Sequence, residues 1–338
     1  MPGSYMDARH DLVVIGASAG GVEALRLVVA RLPPDLPAAV VAVMHLPAGG
    51  TSVLPSILDR AGPLRARPVV DGTPLEPGTI YVAVPDYHVH IDDGCLRVTG
   101  GPRENGHRPA IDLLFRSAAH SHRERTIGVV LSGALDDGTR GLRAIKAHGG
   151  LTIVQDPKTA LHPGMPSSAI RYVAPDRVLA PEQVAAAIYE FASGAREKGH
   201  NGRRMPERSE REQVREQASP EQPGEETGLT CPECGGAIYE QTDGDVVTYR
   251  CRVGHQYGSD TFVMEQSKTA ENSLWAALRL LEERAVLMRR LAERHERQER
   301  TFRGFIAKAD ELEGHAAELT QILREITASA EPALSDGV

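Results

Sequence analysis

Five short runs dense in valine and isoleucine mark the first half of the chain: "DLVVIG", "AVVAVMH", "TIYVAV", "TIGVVLSG" and "GLTIVQ". Near-continuous apolar runs of this length are what strands buried on both faces require. Interleaved with them, "GGVEALRLVVARL", "AIDLLFRSAAHS" and "DGTRGLRAIKAHGG" space their apolar residues for one helical face, and Gly149-Gly150 ends the last of these. Strand–helix alternation from about Asp11 to Ser193 predicts an α/β fold with a doubly wound, mostly parallel sheet, and residues 8–195 are expected to form one domain. "YHVHIDDGCLRV" breaks the rhythm, and its Asp93-Gly94 pair predicts a hairpin near one edge.

The remaining sequence changes character three times. Residues 196–228 are rich in Glu, Arg, Gln, Pro and Gly and hold no aromatic residue, which predicts a disordered linker, since such a segment buries too little surface to offset its ordering entropy. Residues 229–258 carry a compact set of cysteines, and 261–328 read as a long helix or coiled coil. A length of 338 residues suits about two domains. The net charge of −8 argues against a nucleic-acid partner and against attraction to anionic membranes. No apolar run approaches the ~20 residues that span a bilayer, so no membrane insertion is expected. The start, "MPGSYMDARHD", lacks the basic and apolar regions of a signal peptide. With four cysteines unevenly spaced, a disulfide framework is not expected and the cytoplasm is the default compartment.

The turn "GASAGG" after the first strand admits two chemistries. As a dinucleotide fingerprint it is degraded: Ser18 replaces the second glycine, and the next strand ends in His45 where a ribose-binding acid would stand. As G-x-S-x-G it fits a nucleophile elbow, in which a serine sits on a tight strand-to-helix turn beside backbone N–H groups suited to an oxyanion. Ser18 is equally suited to capping the helix that follows.

Two further residues fall on the same rim. His45 ends the second strand, with Pro47 fixing the exit of the loop, and Asp136 and Asp137 follow the strand "TIGVVLSG". Ligands of open parallel sheets bind outside the strand carboxyl ends. Ser18, His45 and an aspartate there have the makings of a triad, although the chain order differs from that of α/β-hydrolases. The plainer alternatives are a structural histidine and an aspartate that caps a helix.

These motifs together resemble the catalytic domain of the chemotaxis protein-glutamate methylesterase family, CheB. "VVIGASAGGVEAL" resembles its serine loop, "VMHLP" its histidine loop and "HRPAIDLLFRSAA" its Arg-Pro-x-x-Asp helix. "LSGALDDGTRGL" resembles its aspartate loop, and "QDPKTALHPGMPSSAI" its late Gly-Met-Pro segment. The resemblance implies that Ser18 is the nucleophile, His45 the general base and Asp137 the residue that orients it. It implies hydrolysis of glutamyl γ-methyl esters on chemoreceptor-type proteins with release of methanol, glutamine deamidation besides, and no catalytic cofactor. Arg108 would hold substrate or brace the rim, and His162 would line the cleft or stay in an exposed loop. Two departures stand out. Ala134 occupies a methionine position, and Asp136 beside Asp137 leaves the assignment open by one residue. Family members usually begin with a phosphorylatable receiver domain, for which the sequence before residue 11 offers no room, so regulation by phosphorylation in cis is not expected.

"CPECGGAIYEQTDGDVVTYRCRVGH" spaces four ligand-type residues as C-x2-C, sixteen residues, then C-x3-H. Cys231, Cys234, Cys251 and His255 suit a closed tetrahedral zinc site of the zinc-ribbon kind, with a hairpin turning at Asp243-Gly244 between the pairs; unbound thiols are the alternative. Four protein ligands leave no open position, so such a metal is structural. Cys95 lies outside the set. The acids Glu233, Glu240, Asp243 and Asp245 oppose a DNA-binding role.

Beyond it, Leu274, Leu278, Leu281, Ala285, Met288 and Ala292 alternate four and three apart, and Phe302, Phe305, Ala309, Leu312, Ala316 and Leu319 continue the pattern. Such a stripe pairs with a second copy in a homodimeric coiled coil, folds back as a helical hairpin bent near His295, or packs on the catalytic domain. The tail is expected to dock the protein to a receptor or another helical signalling protein. A non-catalytic receptor-binding adaptor in a chemotaxis-like pathway is the alternative to the esterase, although an intact Ser18, His45 and Asp137 favour catalysis.

Overall fold

The residues of β1 (Leu12–Ala17) face two core layers in turn: Val13 and Ile15 pack on one side, Leu12 and Val14 on the other. That places β1 in the middle of a sheet. The computed structural model describes residues 10–45, 52–194 and 224–329. In it β1 is flanked by β2 (Ala39–Met44) and, further out, β4 (Thr79–Val82) and β3 (Arg65–Pro68). On the other side follow β7 (Thr126–Val130), β8 (Leu151–Gln155) and β9 (Arg177–Leu179). All seven strands run parallel. The order reverses at β1, so its carboxyl end, with those of β2 and β7, opens the crevice where such sheets bind ligands.

Helices α1 (Gly21–Val29), α2 (Leu54–Ala61) and α6 (Pro181–Ala192) cover one face through Leu25, Leu58 and Ile188. Helices α3 (Ile111–His122), α4 (Thr139–Ala147) and α5 (Gly164–Val173) cover the other through Phe115, Leu142 and Met165. The hairpin of β5 (His88–Asp92) and β6 (Cys95–Thr99) turns at Asp93-Gly94 as expected, both residues having the positive φ of a tight hairpin turn. It forms a two-stranded sheet of its own rather than an edge of the main one, and buries Val89, Ile91 and Leu96 in the α3 layer.

The cysteine region is a four-stranded antiparallel sheet of β10 (Glu225–Thr230), β11 (Ala237–Asp243), β12 (Val246–Cys251) and β13 (Gln256–Gly258). Two sequence expectations shift here. Glu225–Thr230, in part read as linker, is a strand, because its backbone pairs with β11 while its polar side chains face water. Asp243 pairs with Val246, so the turn residues are Gly244 and Asp245, one place later than expected. Linker residues 196–223, the N-terminal residues 1–9 and Pro47 lie outside the described residues. This sheet belongs to the same compact unit as the parallel sheet, Met1–Phe262.

A second unit, Val263–Val338, contains most of α7 (Ser259–Arg294) and all of α8 (Glu299–Ser329). The expected single long helix is broken at residues 295–298, and the two helices fold back antiparallel. Leu278, Ala285 and Ala292 are buried together with Ala309, Leu312, Ala316 and Leu323, and Arg289 pairs with Asp310 and Glu313. The stripe that suited a second copy is thus covered within one chain, which needs no encounter between molecules. Among the described residues no helix is long and apolar enough to cross a membrane.

Candidate active site

Ser18 follows the last residue of β1 and is fixed there by its backbone, whose N–H donates to Ser132 O at 2.9 Å while its carbonyl accepts from Gly21 N at 2.8 Å. Gly20, not Ser18, is the N-cap of α1, and no side chain caps that helix. The serine hydroxyl is therefore free for other work, and it faces His45. Close packing accounts for the glycines around it. A Cβ on Gly16 would lie 2.3 Å from Ile111, and one on Gly133 would lie 2.9 Å from the Ser18 Cβ and 2.0 Å from Met165 Sδ. Met165, in the Gly-Met-Pro segment, thus backs the serine loop.

His45 leaves the end of β2 with its N–H on Ala17 O. Its Nδ1 is 3.1 Å from Ser18 Oγ and its Nε2 2.7 Å from Asp137 Oδ2. Ser18, His45 and Asp137 are thus brought together, and the neighbouring Asp136 points elsewhere. Besides His45, Asp137 accepts from Ile111 N at 2.8 Å, Asp112 N at 3.1 Å, Gly138 N at 2.9 Å and Asn105 Nδ2 at 2.8 Å. Two of those amides are the first of α3, so the aspartate that meets the imidazole also sits at a helix N-terminus, where a negative charge is favoured. Burial alone would push its carboxyl up; the hydrogen bond and charge of His45, with the Ile111 amide, outweigh that and hold it well below the usual carboxylate range. A charged Asp137 fixes the proton of His45 on Nε2 and leaves Nδ1 to accept from Ser18. The site is open on the serine side: Ser18 is half-buried and Ala19 exposed. Among the described residues the Ala19 N–H donates to no group of the chain.

Three contributors lay unremarked in the sequence. His107 stacks on His45 with ring centroids 3.6 Å apart. Asn105, buried at a positive φ, bridges Asp137 and Asp112. Arg140 donates to Asp112 at 2.9 Å, yet burial lifts the Asp112 carboxyl above its ordinary range despite that arginine, and the Asp137 charge adds to the rise. The Asn-Gly turn of "ENGHRP" was the signal for the first two. Arg108 donates to the carbonyls of Gly100 and Gly101 and so braces the rim, while His162 is exposed and meets Ser132 and Gly133 of the aspartate loop through its backbone.

The family model described as CheB methylesterase matches residues 13–188, just over half of the chain. The chain belongs to the CheB methylesterase family. A Xanthomonas oryzae pv. oryzae protein named protein-glutamate methylesterase/protein-glutamine glutaminase 2 is 39% identical over 202 residues, covering 58% of this chain and 56% of its own. A Leptospira interrogans protein, whose name gives the same two activities provisionally, is 37% identical over 177 residues, 52% of this chain and 92% of its own. The crystal structure of the Thermotoga maritima CheB methylesterase catalytic domain matches with a TM-score of 0.51 and 34% identity, covering 53% of this chain and 97% of that one. The chain spans about half the length of the Xanthomonas relative. Ser18, His45 and Asp137 all fall inside the CheB segment, and the cysteine unit and helical hairpin lie beyond it.

That cysteine unit gathers the second predicted set of residues. The ligand atoms of Cys231, Cys234, Cys251 and His255 lie within 4.8 Å of one another. Cys234 Sγ is 3.7 Å from Cys251 Sγ, and His255 Nδ1 is 3.6 Å from Cys231 Sγ and 3.4 Å from Cys251 Sγ. Glu233 holds His255 Nε2 at 2.9 Å, which turns Nδ1 toward the sulfurs. Cys95 stands apart on β6.

Proposed function

We propose that the chain is a serine esterase that hydrolyses glutamyl γ-methyl esters on chemoreceptor-type proteins, with Ser18, His45 and Asp137 as its triad. The observation that carries this reading is the imidazole of His45, which reaches Ser18 through one nitrogen and a buried, charged Asp137 through the other. Ser18 Oγ attacks the γ-carbonyl carbon and its proton passes to His45 Nδ1. The oxyanion forms beside the Ala19 N–H and a second loop amide. Collapse breaks the C–O bond to the methoxy group, which leaves as methanol with the proton from His45. Water then gives a proton to His45 and its oxygen to the acyl carbon, and Ser18 departs with that proton, freeing glutamate. A glutamine amide would follow the same course and release ammonia. The related proteins named for both activities support this pair of substrates.

The non-catalytic adaptor loses ground on the same geometry, since an ordered nucleophile–base–acid relay has no use in simple docking. The cysteine unit is read as a structural zinc site. A tetrahedral zinc sets its sulfurs roughly 3.8 Å apart and sulfur from nitrogen roughly 3.5 Å apart, close to the separations of Cys234 from Cys251 and of His255 from Cys231 and Cys251. Among the described residues the unit's own core is small, Cys231, Ile238, Cys251, Tyr257 and Phe262 with Tyr249 packed against them, so bound metal would supply much of its folding energy. Thiols kept as ligands suit the cytoplasm. The helical hairpin leaves Trp275, Leu280, Val286 and Leu287 exposed and is the part offered to a helical partner.

The experiment is methanol release from receptor membranes methylated beforehand by a methyltransferase. Release by the wild type and none with Ser18→Ala is expected; equal release from both would remove the serine from the chemistry.

A further inference from the structure

The cysteine unit touches the catalytic domain at the residues that hold the triad aspartate. The amide of Asn105 is the hinge of that contact. Its Nδ2 donates to Asp137 Oδ1 at 2.8 Å and to Asp112 Oδ2 at 3.1 Å. Its Oδ1 accepts from Gly258 N at 2.9 Å and Arg140 at 3.4 Å, and its own N–H donates to Gln256 O at 2.6 Å. Two donors and two acceptor sites are thus all used, and a flipped amide would face carboxylates with its oxygen and N–H groups with its nitrogen. The side chain has one orientation, and β13 supplies part of what fixes it.

β13 in turn belongs to the ligand cluster. It begins one residue after His255, and Tyr257 at its centre is fully buried with its hydroxyl 3.5 Å from Cys231 Sγ. The seam is close-fitting. A Cβ on Gly258 would lie 2.0 Å from Asp136 Oδ2, and the Thr261 hydroxyl donates to the other oxygen of that carboxylate. Arg140 also donates to Thr248 at 3.2 Å. A continuous path of contacts therefore runs from Cys231 through Tyr257, Gly258 and Asn105 to Asp137, His45 and Ser18.

We propose that Asn105 is a positioning residue of the esterase and that the docked cysteine unit holds it in place, so that turnover depends on a segment outside the CheB catalytic domain. The proposal rests on the methylesterase reading above. Without β13, the buried N–H of Asn105 loses its acceptor and its Oδ1 loses the shorter of its two bonds, keeping Arg140 at 3.4 Å, so the amide is held less firmly toward Asp137. One of the five donors that orient the charged carboxylate is lost, and the imidazole it steers is less well held. Loss of such a bond to a charged group corresponds to a fall of roughly 10- to 100-fold in kcat, with KM little changed, because the substrate itself is not touched.

The test compares full-length wild type, Gly258→Ala and Asn105→Gly, the last keeping a residue at ease with positive φ while removing the amide. Two readouts are taken: kcat and KM for methanol release from methylated receptor membranes, and the downfield NMR signal of the His45 Nε2 proton bound to Asp137. Both variants should lose kcat by that factor at nearly constant KM, and both should shift or broaden the His45 signal. A wild-type kcat and an unmoved signal in Gly258→Ala would overturn the dependence on the cysteine unit; the same result in Asn105→Gly would overturn the positioning role. A wild type that releases no methanol would sink the methylesterase reading instead, and a His45 signal that still responds to Gly258→Ala would then support the positioning by itself.

Discussion

The imidazole of His107 lies on that of His45, with ring centroids 3.6 Å apart and the planes 16° from parallel. The second ring limits how far the first can tip between Ser18 and Asp137. Stacked aromatic pairs contribute about 0.5–1.5 kcal/mol beyond their buried area. His107→Ala should therefore lower kcat by roughly 2- to 12-fold. His107→Phe, which keeps a ring there, should recover most of it. Steady-state methanol release decides; an unaffected His107→Ala would mean that the Asp137 bond alone orients His45.

Asp137 is surrounded by donors only, so an amide cannot replace it. In Asp137→Asn the NH2 group must face either His45 Nε2–H and the Ile111 amide, which share Oδ2, or the amides of Asp112 and Gly138 with the Asn105 side chain, which share Oδ1, and the first placement breaks the relay. The imidazole then takes the wrong tautomer, with its proton toward Ser18. A fall in kcat of about 10^4-fold is expected, as for other triads that lose this charge. Asp136→Asn leaves the relay untouched and should keep kcat within a few-fold. The pair of variants measures which of the two adjacent acids serves the histidine.

The parallel sheet was legible in the sequence because its inner strands are apolar on both faces, and each elbow residue sits where such a run stops. The outer strands β3 and β9 were not, since Arg65, Arg67 and Arg177 on them face water and leave no apolar run to read. The meeting of Ser18 and His45 on one rim was legible for the same positional reason, and the gathering of Cys231, Cys234, Cys251 and His255 by their spacing. Asn105 was marked only as a turn by the Asn-Gly pair: its role comes from a contact between segments 151 residues apart in the chain, Asn105 and Gln256, which no local pattern encodes. The helical stripe was read correctly as a seam, but periodicity cannot say whether the facing helix comes from the same chain.

Asp136 should give the fold a pH dependence of its own. Its burial against Gly258 and Thr261 raises its carboxyl from 3.8 to about 6, opposed by the Thr261 bond and Arg140 and helped by Asp112 and Asp260. The folded state then binds a proton more tightly than the unfolded chain, so this contribution is full below pH 4 and is lost as pH rises through 6. The shift corresponds to about 3 kcal/mol. Asp136→Asn cannot ionise, so relative to wild type its Tm should gain between pH 4 and 6 and hold a constant advantage above that. Thermal melts of the two proteins across this range test the sign. A difference that is constant from pH 4 to 8 would mean that Asp136 is not buried by the cysteine unit.

Metal removal should report on the same seam from the other side. The small core of the cysteine unit offers few apolar contacts, so the four ligands are expected to hold it together around one zinc per chain, with Cys231, Cys234 and Cys251 slow to react with a thiol reagent. A chelator strong enough to take the zinc should release these three thiols together, because each ligand's geometry depends on the others. Cys234→Ser, which removes one ligand at the exposed edge, should lower zinc content and speed the reaction of the remaining two. Since β13 is anchored beside His255, the stripped protein should also lose the protection of the Gly258 amide, whose acceptor is Asn105 Oδ1. Hydrogen exchange at Gly258 measures this directly. Rapid exchange in the zinc-loaded protein would mean the two sheets are not docked, whereas exchange that quickens only on chelation ties the metal to the contact that steadies Asp137.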